Sequence, residues 1–117
     1  MKYKKALVTG GSGFIGKNLI NKLIGNNISV NVFDDLSRGK DNFNINQEEK
    51  INFFHGDVRN ISDLEKALEN CDVIFHLAFI NGTSNFYKKP SEVLDVAIKG
   101  TLNIIDLVKK FKVKKVI

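Results

Sequence analysis

The chain has 117 residues, of which 43% are hydrophobic and 26% are charged, as in a single globular domain. No apolar run approaches the roughly 20 residues of a membrane-spanning helix, and Met1–Lys5 does not resemble a signal peptide. We therefore expect a cytoplasmic protein with no membrane partner. The lone Cys71 excludes an internal disulfide and a cysteine-based metal site, and we interpret it as a small buried apolar residue.

The net charge of +5 reflects 18 lysine and arginine residues against 13 acidic ones. Part of the excess is clustered, and a basic cluster can contact nucleic acid or an acidic membrane. The pattern here is more typical of a solvated helix end followed by a strand, because apolar residues alternate with the lysines and Phe111 is the one interleaved aromatic. We expect no nucleic-acid partner. The clustered residues are Lys109, Lys110, Lys112, Lys114 and Lys115.

Short β-branched or aromatic runs alternate with segments of helical periodicity. Strands separated by helices pair in parallel through right-handed crossovers, so the predicted fold is an α/β doubly wound parallel sheet. The longer segment Asp35–Lys50 is predicted to be an irregular connection or a short helix. The predicted strands are Lys5–Thr9, Ser29–Phe33, Ile51–His55, Val73–Leu77 and Val113–Ile117, and the predicted helices are Phe14–Ile24, Ser62–Glu69 and Ser91–Lys110.

Two local patterns support the first two helices. The first helix places five apolar residues on one face by the i, i+4 rule: Ile15, Leu19, Ile20, Leu23 and Ile24. The second begins with a capping box, in which Ser62 is the predicted N-cap and Glu65 reaches back to it.

A glycine-rich run, Gly10–Gly16, follows the first predicted strand and opens the first helix. Glycine permits a tight turn and lets a ligand approach the backbone closely. The helix that follows directs its N–H groups and positive dipole end at a phosphate. Gly11, Gly13 and Gly16 have the G-x-G-x-x-G spacing in the strand–turn–helix context that predicts a site for a dinucleotide pyrophosphate. We expect a β-branched residue at Gly13 to abolish binding.

An acidic residue, Asp34, ends the second predicted strand 18 residues after Gly16. A carboxylate there can accept hydrogen bonds from both ribose hydroxyls and repels a 2′-phosphate. This favours NAD over NADP as the cofactor. The alternative is that Asp34 only starts a turn, since aspartate is common after strands.

A P-loop is the closest chemical alternative, because Gly11 to Lys17 satisfies G-x-x-x-x-G-K. The next residue is Asn18, where a P-loop has the serine or threonine that holds magnesium. A P-loop also gives no reason for the acid at the end of the second strand. Lys17 is therefore interpreted as a solvated residue in the first turn of the helix.

Taken together, these segments resemble the extended short-chain dehydrogenase/reductases, in particular the NAD-dependent nucleotide-sugar epimerases and dehydratases. The resemblance runs in order along essentially the whole chain and implies a Rossmann fold, with the sequence stopping in or after its fifth strand. It is carried by Thr9–Gly16, Asp34–Gly39, Gly56–Arg59 and Phe75–Ala78, and more weakly by Gly100–Asn103.

The resemblance implies where each part of NAD binds. Asp57, with Val58 beside it, takes the role of the acid that binds the adenine amino group, and the backbone after the fourth strand lies along the ribose and nicotinamide. The complete predicted set of cofactor-binding residues is Gly10, Gly13, Phe14, Ile15, Gly16, Asp34, Asp35, Asp57, Val58, Leu77, Ala78 and Phe79.

Two residues depart from the family pattern. Phe79 replaces the small residue usual after His-Leu-Ala and is expected to crowd or reshape the nicotinamide pocket. Ala97 stands where an asparagine is common. Neither change touches the predicted pyrophosphate and adenosine contacts.

The family's catalytic Tyr-x-x-x-Lys pair is missing from this sequence. In enzymes of this family, the tyrosine of that pair acts as a tyrosinate and removes the sugar hydroxyl proton as hydride moves to NAD. The two tyrosines, Tyr3 and Tyr87, are followed four residues later by Leu7 and Ser91. No catalytic residue is assigned, and we expect the chain alone to be inactive. His55 and His76 lie in or beside apolar strands and are interpreted as structural histidines rather than acid–base groups.

Three functional hypotheses remain. In the first, residues 1–117 are an incomplete NAD-binding Rossmann domain of an epimerase or dehydratase, without the substrate domain, and a nucleotide sugar binds only if the missing half is supplied. In the second, the chain is a non-enzymatic NAD-binding module. In the third, it has only an assembly role. A sequence that stops in mid-strand favours the first.

The helix predicted at Ser91–Lys110 is apolar over an arc of roughly 240°, far wider than the stripe of an ordinary surface helix. One sheet face cannot cover that arc, so a second apolar partner is expected. In the resembling family this helix commonly packs against its copy in a dimer. We expect a homodimer or aggregates through this helix, and charged substitutions at Val96 and Leu107 are expected to improve solubility.

Overall fold

The computed structural model describes residues 2–38 and 50–117. Its five strands form one parallel sheet in the order β3-β2-β1-β4-β5, with the reversal of strand order at β1. The described elements are β1 (Lys5–Thr9), α1 (Phe14–Gly25), β2 (Ser29–Asp34), β3 (Ile51–His55), α2 (Ile61–Ala67), β4 (Val73–His76), α3 (Thr83–Lys88), α4 (Pro90–Phe111) and β5 (Lys115–Val116).

Helices cover both faces of the sheet. Successive side chains of a strand point to opposite sides, so the apolar residues of one strand pack against helices on both faces. Ala6 and Val8 of β1 pack on one side in a cluster with α1, whereas Leu7 packs on the other side in a cluster with α2 and α4. All three side chains are fully buried. The predicted doubly wound parallel sheet is therefore confirmed.

Several element bounds differ from the predicted ones by one or two residues, and two differences are larger. Residues 83–88 form the short helix α3, which the periodicity did not reveal, and β5 is limited to Lys115–Val116 rather than Val113–Ile117. Most of the predicted connection Asp35–Lys50 lies outside the described residues.

The predicted apolar face of α1 is only partly buried. Ile20, Leu23 and Ile24 lie in the core, whereas Ile15 is 68% exposed and Leu19 is half-buried. Ile15 is in the first turn of the helix, above the carboxyl edge of the sheet, where β1 has already ended. A side chain there reaches past the strands that α1 packs against.

The predicted capping box of α2 is wrong. Asn60 is the N-cap, and its side-chain oxygen accepts hydrogen bonds from Ser62 N (3.1 Å) and Asp63 N (3.3 Å). The helix begins at Ile61, one residue earlier than Ser62, so Asn60 occupies the N-cap position and Ser62 lies inside the first turn. Glu65 instead pairs with Lys110 of α4.

Helix α4 buries one face and leaves a second apolar face exposed. Val96 and Leu107 belong to the buried face and are 8% and 2% exposed. The proposal that charges at these two positions improve solubility is therefore wrong, because a charge there would enter the core. The exposed face consists of Leu94, Ile98, Leu102 and Ile105, which are 46–56% exposed.

Cys71 is buried, as the sequence predicted, and its thiol lies near Asn31 of β2 and the Ala67 carbonyl of α2. Burial raises the pKa of this thiol to about 12. A thiol that stays protonated is unreactive, so Cys71 fills space in the core.

Candidate functional site

The glycine turn lies where the strand order reverses, which is the ligand-binding position in open α/β sheets. Gly10 has φ +68°, and its N–H donates to the Phe33 carbonyl of β2 (2.8 Å). A Cβ at Gly10 would lie 2.8 Å from the Ala78 nitrogen after β4. The turn thus occupies the gap between the ends of β2 and β4, and both its conformation and its surroundings require glycine.

Gly13 and Gly16 of the G-x-G-x-x-G motif have different physical roles. A Cβ at Gly16 would lie 2.6 Å from both the Gly10 oxygen and the Gly11 Cα, so this glycine lets α1 pack against the turn. A Cβ at Gly13 would meet only the Gly10 oxygen, at 3.3 Å. The open side of Gly13 is therefore not needed for packing and is available to a ligand.

The N-terminus of α1 is open toward the same side. Gly13 is the N-cap, with φ −73° and ψ 173°, and no side chain among the described residues caps the helix. Phe14 is 86% exposed and Ile15 is 68% exposed. The first-turn N–H groups can consequently meet an anion.

Ser12 places an unpaired hydroxyl at this turn. Ser12 is 3% exposed, and its Oγ has no hydrogen-bond partner within residues 2–38 and 50–117. A buried polar atom without a partner is costly and calls for a ligand or an ordered water. This orphaned hydroxyl and the open side of Gly13 both fit a bound pyrophosphate.

Asp34 is joined directly to the glycine turn. Its Oδ2 accepts a hydrogen bond from Ser12 N (2.9 Å), and its Oδ1 accepts one from Leu36 N (2.8 Å). The two backbone donors orient the carboxylate across the end of β2. Asp35 points elsewhere, since its carboxylate accepts from Ser37 N (2.9 Å) in an exposed turn.

The predicted adenine acid, Asp57, follows β3 and is paired with Arg59. The Arg59 Nη2 lies 2.7 Å from Asp57 Oδ2, and Arg59 N donates to Oδ1 (2.8 Å). The Arg59 side chain holds the pKa of Asp57 below its usual value. Val58 beside it is buried and contacts Gly100 of α4, where a Cβ would lie 2.8 Å from Val58 Cγ2.

A hydrogen-bond chain connects β1 to the loop after β4. Ala78 N donates to Thr9 Oγ1 (3.2 Å), which lies 2.8 Å from His76 Nδ1. Burial lowers the pKa of His76, so its neutral ring can accept the Thr9 proton. Leu77 N donates to the Thr9 carbonyl (3.1 Å). His76 is thus a packed and hydrogen-bonded residue, as interpreted from the sequence, and it positions the strand end.

His55 is exposed, and its Nε2 lies 3.1 Å from the Asp35 carbonyl oxygen. Phe79 is 40% exposed, and its ring centroid lies 6.5 Å from that of Phe86 in α3. Ala97 is half-buried on α4. Phe79 therefore forms an aromatic pair at the edge of the site, with a helix that the sequence pattern did not reveal.

The structure brings four of the predicted segments to one edge of the sheet: the glycine turn, Asp34, Asp57–Val58 and Leu77–Phe79. The sequence analysis assigned no role to Ser12, Arg59 or the Thr9 side chain. Thr9 and Arg59 lie inside the segments that carried the family resemblance. Their contacts could not be predicted, because Thr9 contacts His76, 67 residues away, and Arg59 contacts Asp95, 36 residues away.

The sequence signature of the NAD dependent epimerase/dehydratase family matches residues 6–117. The chain belongs to this family. Family membership selects the dinucleotide-site interpretation of the glycine motif over the P-loop.

Curated proteins and solved structures resemble the chain in sequence and in fold. CDP-paratose 2-epimerase of Salmonella typhi is 33% identical over 112 residues, covering 92% of this chain and 33% of that enzyme. The Thermus thermophilus UDP-glucose 4-epimerase, solved in complex with NAD, has a TM-score of 0.85 and 28% identity over 96% of this chain and 36% of that one. The Bifidobacterium longum UDP-glucose 4-epimerase, solved with NAD+ and UDP, has a TM-score of 0.87 and 27% identity, covering 97% and 36% of the two chains.

The chain spans about a third of the length of the curated relatives it matches. Within the described ranges, no helix is long and apolar enough to cross a bilayer. The same residues contain no group of three or more histidine, cysteine, aspartate or glutamate side chains arranged to hold a metal ion.

Proposed function

We propose that the chain is the NAD-binding portion of a nucleotide-sugar epimerase or dehydratase. The observation that carries the proposal is the contact between Asp34 and the glycine turn, in which Ser12 N donates to Asp34 Oδ2 at 2.9 Å. This contact holds the Asp34 carboxylate beside an open helix N-terminus, which supports a role for Asp34 as the acceptor for a ribose. The family to which the chain belongs is NAD dependent, and NAD carries both a ribose for the carboxylate and a pyrophosphate for the helix N-terminus.

Each residue has a distinct part in binding. The first-turn N–H groups of α1 and the Ser12 hydroxyl donate to the pyrophosphate, which rests on the open side of Gly13. Asp34 accepts hydrogen bonds from the adenosine ribose, and Asp57 accepts one from the adenine amino group. Leu77, Ala78 and Phe79 line the side on which the nicotinamide lies.

NAD supplies a hydride acceptor and donor when it is bound. The chain's own residues position it: Thr9 holds the Ala78 backbone through a 3.2 Å hydrogen bond, and Phe79 limits the space after β4. Neither Tyr3 nor Tyr87 is followed by a lysine at the fourth position. We therefore expect the 117-residue chain to bind NAD without converting a nucleotide sugar, and to need a further segment for substrate binding and proton transfer.

Calorimetric titration with NAD and NADP tests the cofactor. Asp34 accepts hydrogen bonds from the ribose of NAD and repels the 2′-phosphate of NADP. Because hydrogen bonds to a charged group contribute about 1.5–3 kcal/mol, NAD is expected to bind at least about tenfold more tightly than NADP. Asp34→Asn should reduce this preference to about threefold or less. Glu69→Gln, a charge change at an exposed residue in the turn after α2, is the control and should leave the preference intact. Equal affinities in the unsubstituted chain would refute the assignment of Asp34.

A second candidate, an assembly role, is supported by the exposed face of α4. Leu94, Ile98, Leu102 and Ile105 form a continuous apolar stripe that is 46–56% exposed, and such stripes mark interaction sites. We infer that this stripe joins two copies of the chain. The double substitution Ile98→Lys, Leu102→Glu should convert the dimer to a monomer in multi-angle light scattering. A monomer at high concentration in the unsubstituted chain would exclude the homodimer.

NAD titration separates this role from the first one. Assembly alone requires no cofactor, so a stable dimer that does not bind NAD would favour it. NAD binding that is unchanged in the monomeric variant would show that the two properties are independent.

A further inference from the structure

The loop that follows β3 is attached to α4 at three successive points. Arg59 Nη1 pairs with Asp95 Oδ2 (3.0 Å), the Val58 side chain packs on Gly100, and Asn103 Nδ2 donates to the Val58 carbonyl (3.0 Å). These contacts cover about two turns of the helix. The loop that presents Asp57 therefore takes its position from α4 as well as from its own strand.

Arg59 is the charged member of this attachment. Its guanidinium binds two carboxylates on different elements: Nε and Nη2 donate to Asp57 (2.7–3.1 Å), and Nη1 donates to Asp95 (3.0 Å). Asp95 is also paired with Lys99 one turn later (2.7 Å). A guanidinium offers its donors in a fixed planar fork, so binding both acids at once sets the plane of the Asp57 carboxylate.

The Asp57 carboxylate remains accessible on one side. Its side chain is 36% exposed, although Arg59 N, Nε and Nη2 all donate to it. A carboxylate oxygen can accept more than one hydrogen bond, so the open side can still receive a donor from a ligand. An ionised carboxylate accepts only, and it favours a ligand edge that carries an amino group over one that carries a carbonyl.

We propose that Arg59 is a positioning residue for the cofactor: it orients Asp57 toward the adenine amino group and anchors that acid to α4 through Asp95. The inference rests on the proposed NAD-binding function. Under this proposal, Asp57 alone does not select the adenine base. The selection also depends on Arg59, which bridges the loop after β3 to α4.

The test compares NAD with nicotinamide hypoxanthine dinucleotide, which carries a carbonyl oxygen in place of the adenine amino group. Calorimetric titration of the 117-residue chain should give about tenfold tighter binding of NAD. In Arg59→Gln, NAD affinity should fall so that the ratio of the two affinities is about two, while the hypoxanthine analogue changes little. Arg59→Lys keeps a cation but loses the fork, and should give an intermediate ratio; it also replaces Arg59→Gln if that variant does not fold by circular dichroism. Lys89→Gln removes another ion pair of α4, with Glu92, and should leave the ratio unchanged.

The outcomes separate this inference from the proposed function. If both dinucleotides weaken equally in the Arg59 variants, Arg59 has only a structural role and the inference is overturned. If the unsubstituted chain binds NAD but shows no preference between the dinucleotides, Asp57 does not read the adenine, and the inference is also overturned while NAD binding stands. If neither dinucleotide binds, the proposed function itself is wrong. In the double variant Asp57→Asn, Arg59→Gln, a ratio equal to that of Asp57→Asn alone supports an effect of Arg59 through Asp57.

Discussion

Gly13→Ala is the substitution that best separates cofactor binding from folding. Gly13 has φ −73°, which any residue adopts, and an added Cβ would meet only the Gly10 oxygen at 3.3 Å. Alanine restricts the unfolded chain and stabilises the fold by about 0.4–1 kcal/mol. The close approach of the Cβ to the Gly10 oxygen and the poorer N-cap that alanine makes should cost a similar amount, so the two effects nearly cancel. We therefore expect a melting temperature within about 4 °C of that of the unsubstituted chain.

NAD binding should respond differently. The Cβ would enter the space assigned to the pyrophosphate, and overpacking of a fitted site costs about 1–3 kcal/mol, or about 5- to 150-fold in affinity. Valine places two further carbons there and should abolish detectable binding. Thermal unfolding followed by circular dichroism and calorimetric titration with NAD measure the two effects on the same sample.

Gly16→Ala is the matched control. Its Cβ would lie 2.6 Å from the backbone of Gly10 and Gly11, so the substitution should destabilise the fold by about 1–3 kcal/mol and lower the melting temperature by about 4–12 °C. A Gly13→Ala chain that melts normally and binds NAD with unchanged affinity would refute the location of the pyrophosphate.

Three further predictions concern stability and reactivity. Burial lowers the pKa of His76 below its ordinary value of 6.5, so the unfolded chain takes up more protons than the folded chain below that pH; unfolding followed from pH 7 to 5 should show stability falling, and His76→Gln should flatten the profile. Asn60→Ala should cost about 0.5–2 kcal/mol in chemical denaturation because it removes the N-cap of α2, whereas Ser62→Ala should have almost no effect; the reverse order would restore the capping box. Cys71, whose burial raises its pKa to about 12, should react with a thiol reagent at pH 8 only on unfolding, and rapid labelling of the native chain would contradict its burial.

Local pattern was sufficient for much of the fold and for the class of site. Alternation of β-branched runs with helical periodicity predicted the five strands and their parallel pairing, because each such segment must bury an apolar face. The glycine spacing and the acid at Asp34 predicted a dinucleotide site, because a tight turn, an open helix N-terminus and a ribose acceptor all follow from residues close together in the chain.

Tertiary structure decided which residues share a contact. The α4 sequence is apolar over most of its circumference, and only the packed sheet distinguishes buried Val96 and Leu107 from exposed Ile98 and Leu102. The capping of α2 depended on where the helix begins, a competition between adjacent side chains that differ little in propensity.

The same limit applies to the site. Arg59 meets Asp95 across 36 residues, and Thr9 meets His76 across 67. Nothing in the spacing of the chain reveals such pairs, since the loop after β3 meets α4, and the end of β1 meets the end of β4, only when the crossovers pack on the sheet. The sequence alone therefore determined the kind of ligand that this edge of the sheet suits, whereas the packing of α4 and the order of the strands decided which side chains orient its acids.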